Sequence, residues 1–548
     1  MNRLIPRFRL PLPVALSLVF ASLIAVSTAT AEGDKAAKSN SESSKETAKA
    51  TELPSDEPKL SVTKHSVVIG GKTVNYKATV GYLLLRQEVD DAHREKADKS
   101  GKNEDEKKPK DDLKPWAKFF FIAYTRDGEN GATRPITFAF NGGPGAASVW
   151  LHLGALGPKR VKLTELGDGP PAPYALVDNE ESWLDGTDLV FIDPVSTGYS
   201  RTAPGENAQS FHGYEEDIKS VAEFIRMYTT RNNRWLSPKF IVGESYGAAR
   251  AVGLTAFLQD RMNLYVNGIM LVSGLLNSQD IDSNPGNDLP YSLFLPGYST
   301  AAWYHKKLAP DLQNKTPDEV RKEAEAFAGK EYPLALAQGA SLSDASQKQV
   351  AEKLSGLIGL PVELILRYHL RIPCDVFREE LLKSENRVIG RFDSRFTGIG
   401  YDPRGSHFDP SFENVRGAYT ATINDYLRND LKFETDLPYE TLANVSWNFS
   451  NVQNKYLEVE QTLGRTMSQN PAMKVWLAAG YYDLAVSYRA TEYALCQILI
   501  DPALRSNISL TNYEGGHMIY NTEPALRKFK ADFQVFLNNT LQKKPGGQ

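Results

Sequence analysis

The sequence predicts an α/β protein with a mostly parallel central sheet and an inserted, mainly helical segment, and three observations carry that expectation. From Ile136 onward, short apolar runs alternate with helix-like stretches, the signature of βαβ units. The alternation lapses between residues 276 and 452 into helical, proline-broken and loop-rich sequence. It resumes at Lys474 and closes on the helix-like "EPALRKFKADFQVFLNNTL".

Taken from the N-terminus, Arg3, Arg7 and Arg9 precede an apolar run, Leu12 to Val26, and then "STATAEGD", in which Ala29-Thr30-Ala31 fits a small-residue cleavage site. Residues 1–31 therefore read as a secretory signal peptide cleaved after Ala31, which makes the protein secreted or periplasmic. The run is shorter than the roughly 20 apolar residues of a spanning helix, so no membrane span is expected once the signal is removed. Residues 32–59, rich in Ser, Lys, Glu and Ala, cannot repay the entropy of ordering and read as a disordered linker. Residues 60–275 form the first part of the predicted core. They open with two strand-like segments, "KTVNYKATVGYLLL" and "WAKFFFIAYTR", separated by a charged excursion from Asp90 to Lys114. The strands "ITFAF", "TDLVFID", "KFIVGE" and "VNGIMLVSG" follow, with "YEEDIKSVAEFIRMY" and "YGAARAVGLTAFLQD" as helices between them. Residues 276–452 are the inserted cap, containing "DEVRKEAEAFAGKEY" and "VELILRYHLRIPCDVF", and residues 453–543, with the strand "KVWLAAG", complete the core.

Composition closes several doors. A formal charge of -4 gives no electrostatic footprint for nucleic acid. Cys374 and Cys496 are too few to scaffold a chain of this size, and sequence leaves open whether they pair or stay as two buried thiols. No HExxH, no Cys/His ligand cluster and no phosphate loop occurs, so neither a metal nor a cofactor is expected.

The chemistry centres on Gly243-Glu244-Ser245-Tyr246-Gly247, which follows one predicted strand and opens a helix. Gly-x-Ser-x-Gly in that setting is a nucleophile elbow: the serine takes a strained conformation and the glycines let strand and helix approach. A serine hydroxyl attacks only when an imidazole removes its proton, and a carboxylate must orient that imidazole. Of the downstream histidines, His305, His369 and His407 fall in the cap, whereas His517 follows a strand-like run and two glycines, so His517 is the expected base. Asp483, directly after a predicted core strand, is preferred as the orienting acid over Asp501 and Asp409. Acyl transfer also needs donors aimed at the developing oxyanion. The turn Asn141-Gly142-Gly143-Pro144-Gly145 follows a strand upstream of the nucleophile, and the amides of Gly143 and Tyr246 are the candidate pair.

With "NGGPGAAS", "FIDPVSTGYS", "GESYGAARA", "AAGYYDLA" and "EGGHM" in this order, the chain resembles the serine carboxypeptidase family of α/β hydrolases over roughly Phe138 to Pro524. The resemblance implies an α/β-hydrolase fold with a helical cap, Ser245, Asp483 and His517 as triad, and Gly143 with Tyr246 as oxyanion donors. It further implies that Glu244, Asn141 and Gly142 bind the terminal carboxylate of a peptide or protein substrate. Because two acids face each other only by sharing a proton, cleavage would then favour acidic pH. Two other carboxylate-recognition residues of the family, a tryptophan and a glutamate, stand here as Ala139 and Ala155. Two of its half-cystine positions are Ala146 and Val486. Met518, beside the base, is expected to line the leaving-group pocket. The expected activity is thus exported serine carboxypeptidase. An esterase or acyltransferase on the same scaffold, and a non-catalytic binding protein, are the alternatives.

Overall fold

A computed structural model describes residues 58–88, 113–400 and 409–542. The leader, nearly all of the linker and of the charged excursion, and His407 lie outside the described residues.

Nine strands make the body of one sheet: β1 (Ser61–Ile69), β2 (Lys72–Glu88), β3 (Leu113–Arg126), β4 (Ile136–Phe140), β5 (Asp188–Ile192), β6 (Lys239–Glu244), β7 (Gly268–Val272), β8 (Lys474–Gly480) and β9 (Ile508–Tyr513). Their order is β1-β2-β3-β5-β4-β6-β7-β8-β9, with the short strand Arg201–Thr202 beside β3. From β5 to β9 every neighbour is parallel, and β1 to β3 add an antiparallel edge. Sequence character follows position. The central strands "ITFAF", "DLVFI", "KFIVGE" and "GIMLV" are buried at every residue, as strands covered on both faces must be. Edge strand β1 alternates exposed and partly buried residues over most of its length instead.

The two-residue period sorts side chains between two cores. Phe138, Ile241, Leu271 and Leu477 point to a face covered by α1 (Tyr214–Arg231) and α2 (Tyr246–Met262). Ala139, Val242, Met270 and Ala478 point to the other, where Phe529 and Phe533 of the C-terminal helix and Tyr419 pack. Between β7 and β8 lie α3 (Leu289–Tyr304), α4 (Pro317–Ala328) and α5 (Asp344–Ile358), which build a third apolar cluster around Phe294, Phe327 and Leu354. A sidechain-to-backbone exchange between Thr316 and Glu319 starts α4, and Gly359 at φ +70° ends α5. The segment "VELILRYHLRIPCDVF" is two short helices, Val362–Arg367 and Cys374–Glu380, with Pro373 immediately before the second.

Helix α6 (Pro410–Asp425) leaves that cluster and joins the sheet core through Val415, Tyr419 and Ile423. The chain beyond it runs along the carboxyl ends of the strands, bridging Gly198 to Glu440, Ala146 to Leu442 and Gly213 to Asn448. Both cysteines are free, and Cys496 is exposed rather than buried. Cys374 donates to the Leu484 carbonyl at 3.4 Å, and burial pushes its thiol up to about 12.

Candidate active site

Strand β6 ends at Glu244 and helix α2 begins at Tyr246, so the whole reversal is made at Ser245, at φ 62° and ψ -129°. That is a sparsely populated conformation for a residue with a Cβ and stores about 1–3 kcal/mol of strain. Its backbone is held on both sides: the amide donates to Val272 O at 2.9 Å and the carbonyl accepts from Ala248 N at 2.9 Å. Of the flanking glycines, Gly243 is required by contact, since a Cβ there would stand 2.0 Å from Gly247 O, and a Cβ on Gly247 would be tight at 3.1 Å from Asn141 C.

The glycine turn after β4 rests on this corner. A Cβ on Gly142 would lie 2.5 Å from the backbone nitrogens of both Tyr246 and Gly247. Tyr246 is the first residue of α2, and the helix itself leaves that amide without a partner, at its positive end. Below the turn, buried Arg250 donates to Asn141 O at 2.5 Å and to Asp217 at 2.7 Å, and the Tyr246 hydroxyl donates to the same carboxylate at 3.1 Å. One buried ion pair thus ties turn, elbow and α1 together.

Asp483 stands three residues beyond β8. Its Oδ1 accepts from the amides of Ala485 at 2.7 Å and Val486 at 2.9 Å, and its Oδ2 lies 2.7 Å from His517 Nδ1. With that carboxylate accepting, Nδ1 carries the proton and Nε2 keeps its lone pair. Gly515 and Gly516 carry the chain from β9 to His517, and a Cβ on Gly516 would stand 2.2 Å from Phe392 O. The Phe392 ring stacks on the imidazole at 4.8 Å between centroids, and Ser273 Oγ donates to His517 O at 2.6 Å.

A cavity of about 500 Å³ opens over this assembly. Asn141, Gly142, Gly143, Glu244, Ser245, Tyr246 and His517 all line it, as does Met518; Asp483 lies buried behind the imidazole. The other acids singled out from sequence serve elsewhere. Asp409 caps α6 through Ser411 N, and Asp501 caps the helical turn Pro502–Asn507 through Ala503 N. His305 is bonded to the Ser394 carbonyl at 2.7 Å and does not line the cavity.

Glu244 is buried, and the loss of water pushes its carboxyl up to about 7 against the pull of His517 and of the Tyr520 hydroxyl, which donates to Oε2 at 2.6 Å. Burial opposes the imidazolium of His517, but the Asp483 and Glu244 carboxylates outweigh it and its pKa is raised. The two shifts are linked: a proton held by Glu244 removes one of the charges that keeps His517 protonated. The state with Glu244 neutral and His517 neutral is the one able both to meet an anion and to accept a proton.

Tyr520, Tyr419 and Phe392 are the neighbours that motif reasoning missed. Tyr520 follows the base by three residues in "HMIY", a spacing without a rule attached, and Tyr419 and Phe392 lie in the segment assigned to the cap.

The sheet order, the strained serine between β6 and α2, and the loops gathered beyond the strand ends define an α/β hydrolase. Within that class the chain belongs to the serine carboxypeptidase family, whose model matches residues 112–501. Ser245 and Asp483 fall inside the match and His517 beyond it. Similar proteins include serine carboxypeptidase-like 51 of Arabidopsis thaliana, 28% identical over 153 residues, which covers 27% of this chain and 31% of that protein. The pheromone-processing carboxypeptidase KEX1 of Saccharomyces cerevisiae is 35% identical over 136 residues, 23% of this chain and 17% of that one. Serine carboxypeptidase-like 22 of Arabidopsis thaliana is 21% identical over 372 residues, 66% and 70% of the two chains. The chain thus spans less than a third of the length of the first two of these relatives. The crystal structure of the Saccharomyces cerevisiae KEX1 enzyme aligns over 84% of this chain and 91% of its own with a TM-score of 0.49 at 15% identity.

Proposed function

We propose that the protein is an exported serine carboxypeptidase that removes residues from the C-termini of peptides through an acyl-enzyme on Ser245. The observation that carries this reading is the convergence on one cavity of Ser245 and of a His517 imidazole whose Nδ1 is held 2.7 Å from Asp483. Nε2 of His517 takes the serine proton as Oγ attacks the scissile carbonyl, and returns it to the departing amine; water then repeats the sequence on the acyl-enzyme. The amides of Gly143 and Tyr246 receive the oxyanion. Glu244, with Asn141 and Gly142, receives the substrate's terminal carboxylate. Residues 276–452 serve as the cap over this site, a reading supported by Ile281, Arg391, Phe392 and Phe412 on the cavity wall. Export rests on the leader reading of residues 1–31, and among the described residues no helix is long and apolar enough to cross a membrane.

The test is a pair of N-blocked dipeptides, one with a free C-terminus and one with a C-terminal amide, together with mass spectrometry of longer peptides. Stepwise loss from the C-terminus and strong preference for the free acid are expected. Equal rates on acid and amide would redirect the assignment to an esterase-type hydrolase, and no labelling of Ser245 by a fluorophosphonate to a non-catalytic protein.

The pH dependence has a defined sign. A protonated Glu244 can donate to a substrate carboxylate, whereas an ionised one repels it. Hence kcat/KM for the free-acid substrate is expected to fall as pH rises through about 7, mainly through KM. Glu244→Gln cannot ionise, and its profile should lose this alkaline decline. The same carboxyl, raised from 4.5 in the free state to about 7, favours the folded protein at acid pH and ceases to do so as pH climbs through that interval.

A further inference from the structure

The carboxyl of Glu244 sits in a socket of two tyrosines. Tyr520 donates to Oε2 at 2.6 Å, and Asn141 is a hydrogen-bonding neighbour of both groups. Tyr419, on α6, brings a second hydroxyl that is fully buried and has no hydrogen-bond partner among the described residues. Its ring is fixed by Trp150 at 4.8 Å between centroids, and Trp150 itself lines the cavity. Room for the pair comes from Gly154, where an added Cβ would stand 2.4 Å from Tyr520 Cε2 and 2.7 Å from Tyr419 Oη. Residues distant in the chain have thus been brought to one acid that faces the cavity.

A tyrosine hydroxyl gives a single proton. Because Tyr520 donates into Oε2, the proton that a neutral Glu244 carries belongs on the other oxygen, Oε1. A carboxyl held this way offers one donor of fixed identity to an incoming anion, which is what discrimination between a carboxylate and an amide requires. We propose that Tyr520 is the positioning residue for Glu244, assigning its proton to Oε1 for sharing with the substrate's terminal carboxylate, and that Tyr419 completes the socket. This rests on the carboxypeptidase reading of the same site. The groups that act on Glu244 are Tyr520 and Asn141 by hydrogen bond and Tyr419, His517 and Asp483 through their charges, and of these the tyrosines stand outside the hydrolytic set and the glycine turn.

The experiment compares the wild-type enzyme with Tyr520→Phe on the free-acid and amide dipeptides across pH, with fluorophosphonate labelling of Ser245 as the check on the intact nucleophile. Tyr520→Phe is expected to raise KM for the acid about tenfold and to leave kcat/KM on the amide unchanged. Its alkaline limb should also move to higher pH, because the lost donor is one that holds the Glu244 pKa down. Gly154→Ala, which displaces both rings, should reproduce the KM effect if Tyr520→Phe fails to fold. An unchanged acid-to-amide preference and an unmoved limb in either variant would overturn the positioning role. Equal losses on both substrates would likewise overturn it in favour of packing. A wild-type enzyme indifferent to the C-terminal carboxylate would remove the carboxypeptidase reading itself, and the proposal with it.

Discussion

Ser245→Ala is expected to lower kcat for peptide hydrolysis by about six orders of magnitude, the loss that follows when the nucleophile of a serine triad is removed. The substitution deletes one oxygen and nothing else. The Cβ remains, so the backbone at φ 62° is neither relieved nor worsened, and the bonds from Ser245 N to Val272 O and from Ala248 N to Ser245 O do not involve the side chain. Thermal unfolding should therefore be unchanged, and the variant should still bind peptide, which makes it suitable for equilibrium binding of uncleaved substrate. A variant retaining activity within tenfold of wild type would show that the hydroxyl is not the nucleophile.

Asp483→Asn is expected to cost about 10⁴-fold in kcat, for a reason specific to this geometry. The carboxylate is gripped at Oδ1 by two backbone donors, Ala485 N and Val486 N. An asparagine in its place keeps its carbonyl oxygen on those donors, which turns the NH₂ toward His517 Nδ1. Nδ1 must then accept, the ring proton moves to Nε2, and the imidazole faces the serine as a donor. Removing the charge also withdraws the main support of the imidazolium, so the His517 pKa should fall, a shift readable by proton NMR of the ring. Wild-type turnover in this variant, or an unmoved histidine titration, would mean that Asp483 does not orient the base.

Much of this arrangement was legible in the chain itself, because the relevant signals are local. The strands at Ile136, Lys239 and Lys474 have the boundaries that their apolar runs suggest, since a strand buried on both faces reads as a short, nearly continuous apolar run. The elbow is written in five consecutive residues, and Gly243 within it and Gly142 beside it have no substitute, because neighbouring backbone stands within 3 Å of the missing Cβ. What could not be read is what depends on meetings between distant segments. Tyr419 belongs to a helix that sequence assigns to the cap, yet its apolar face packs on the sheet, a choice that both periodicity and composition permit. Asp217 looks like one of several charges on the amphipathic run "YEEDIKSV", and only the fold shows it buried against Arg250 from the next helix. Strand β1 went unread because its polar alternation beside the linker is too weak to stand out without its partner β2.

The strained corner at Ser245 sets endurance against chemistry at one residue. Glycine there would adopt φ 62° without penalty and should raise the melting temperature, while removing the hydroxyl proposed as the nucleophile. A library of variants sorted solely for survival on heating would be drawn to that substitution and would return sturdy, inert molecules. Campaigns to toughen this enzyme should therefore screen for turnover in the same round, with position 245 held fixed.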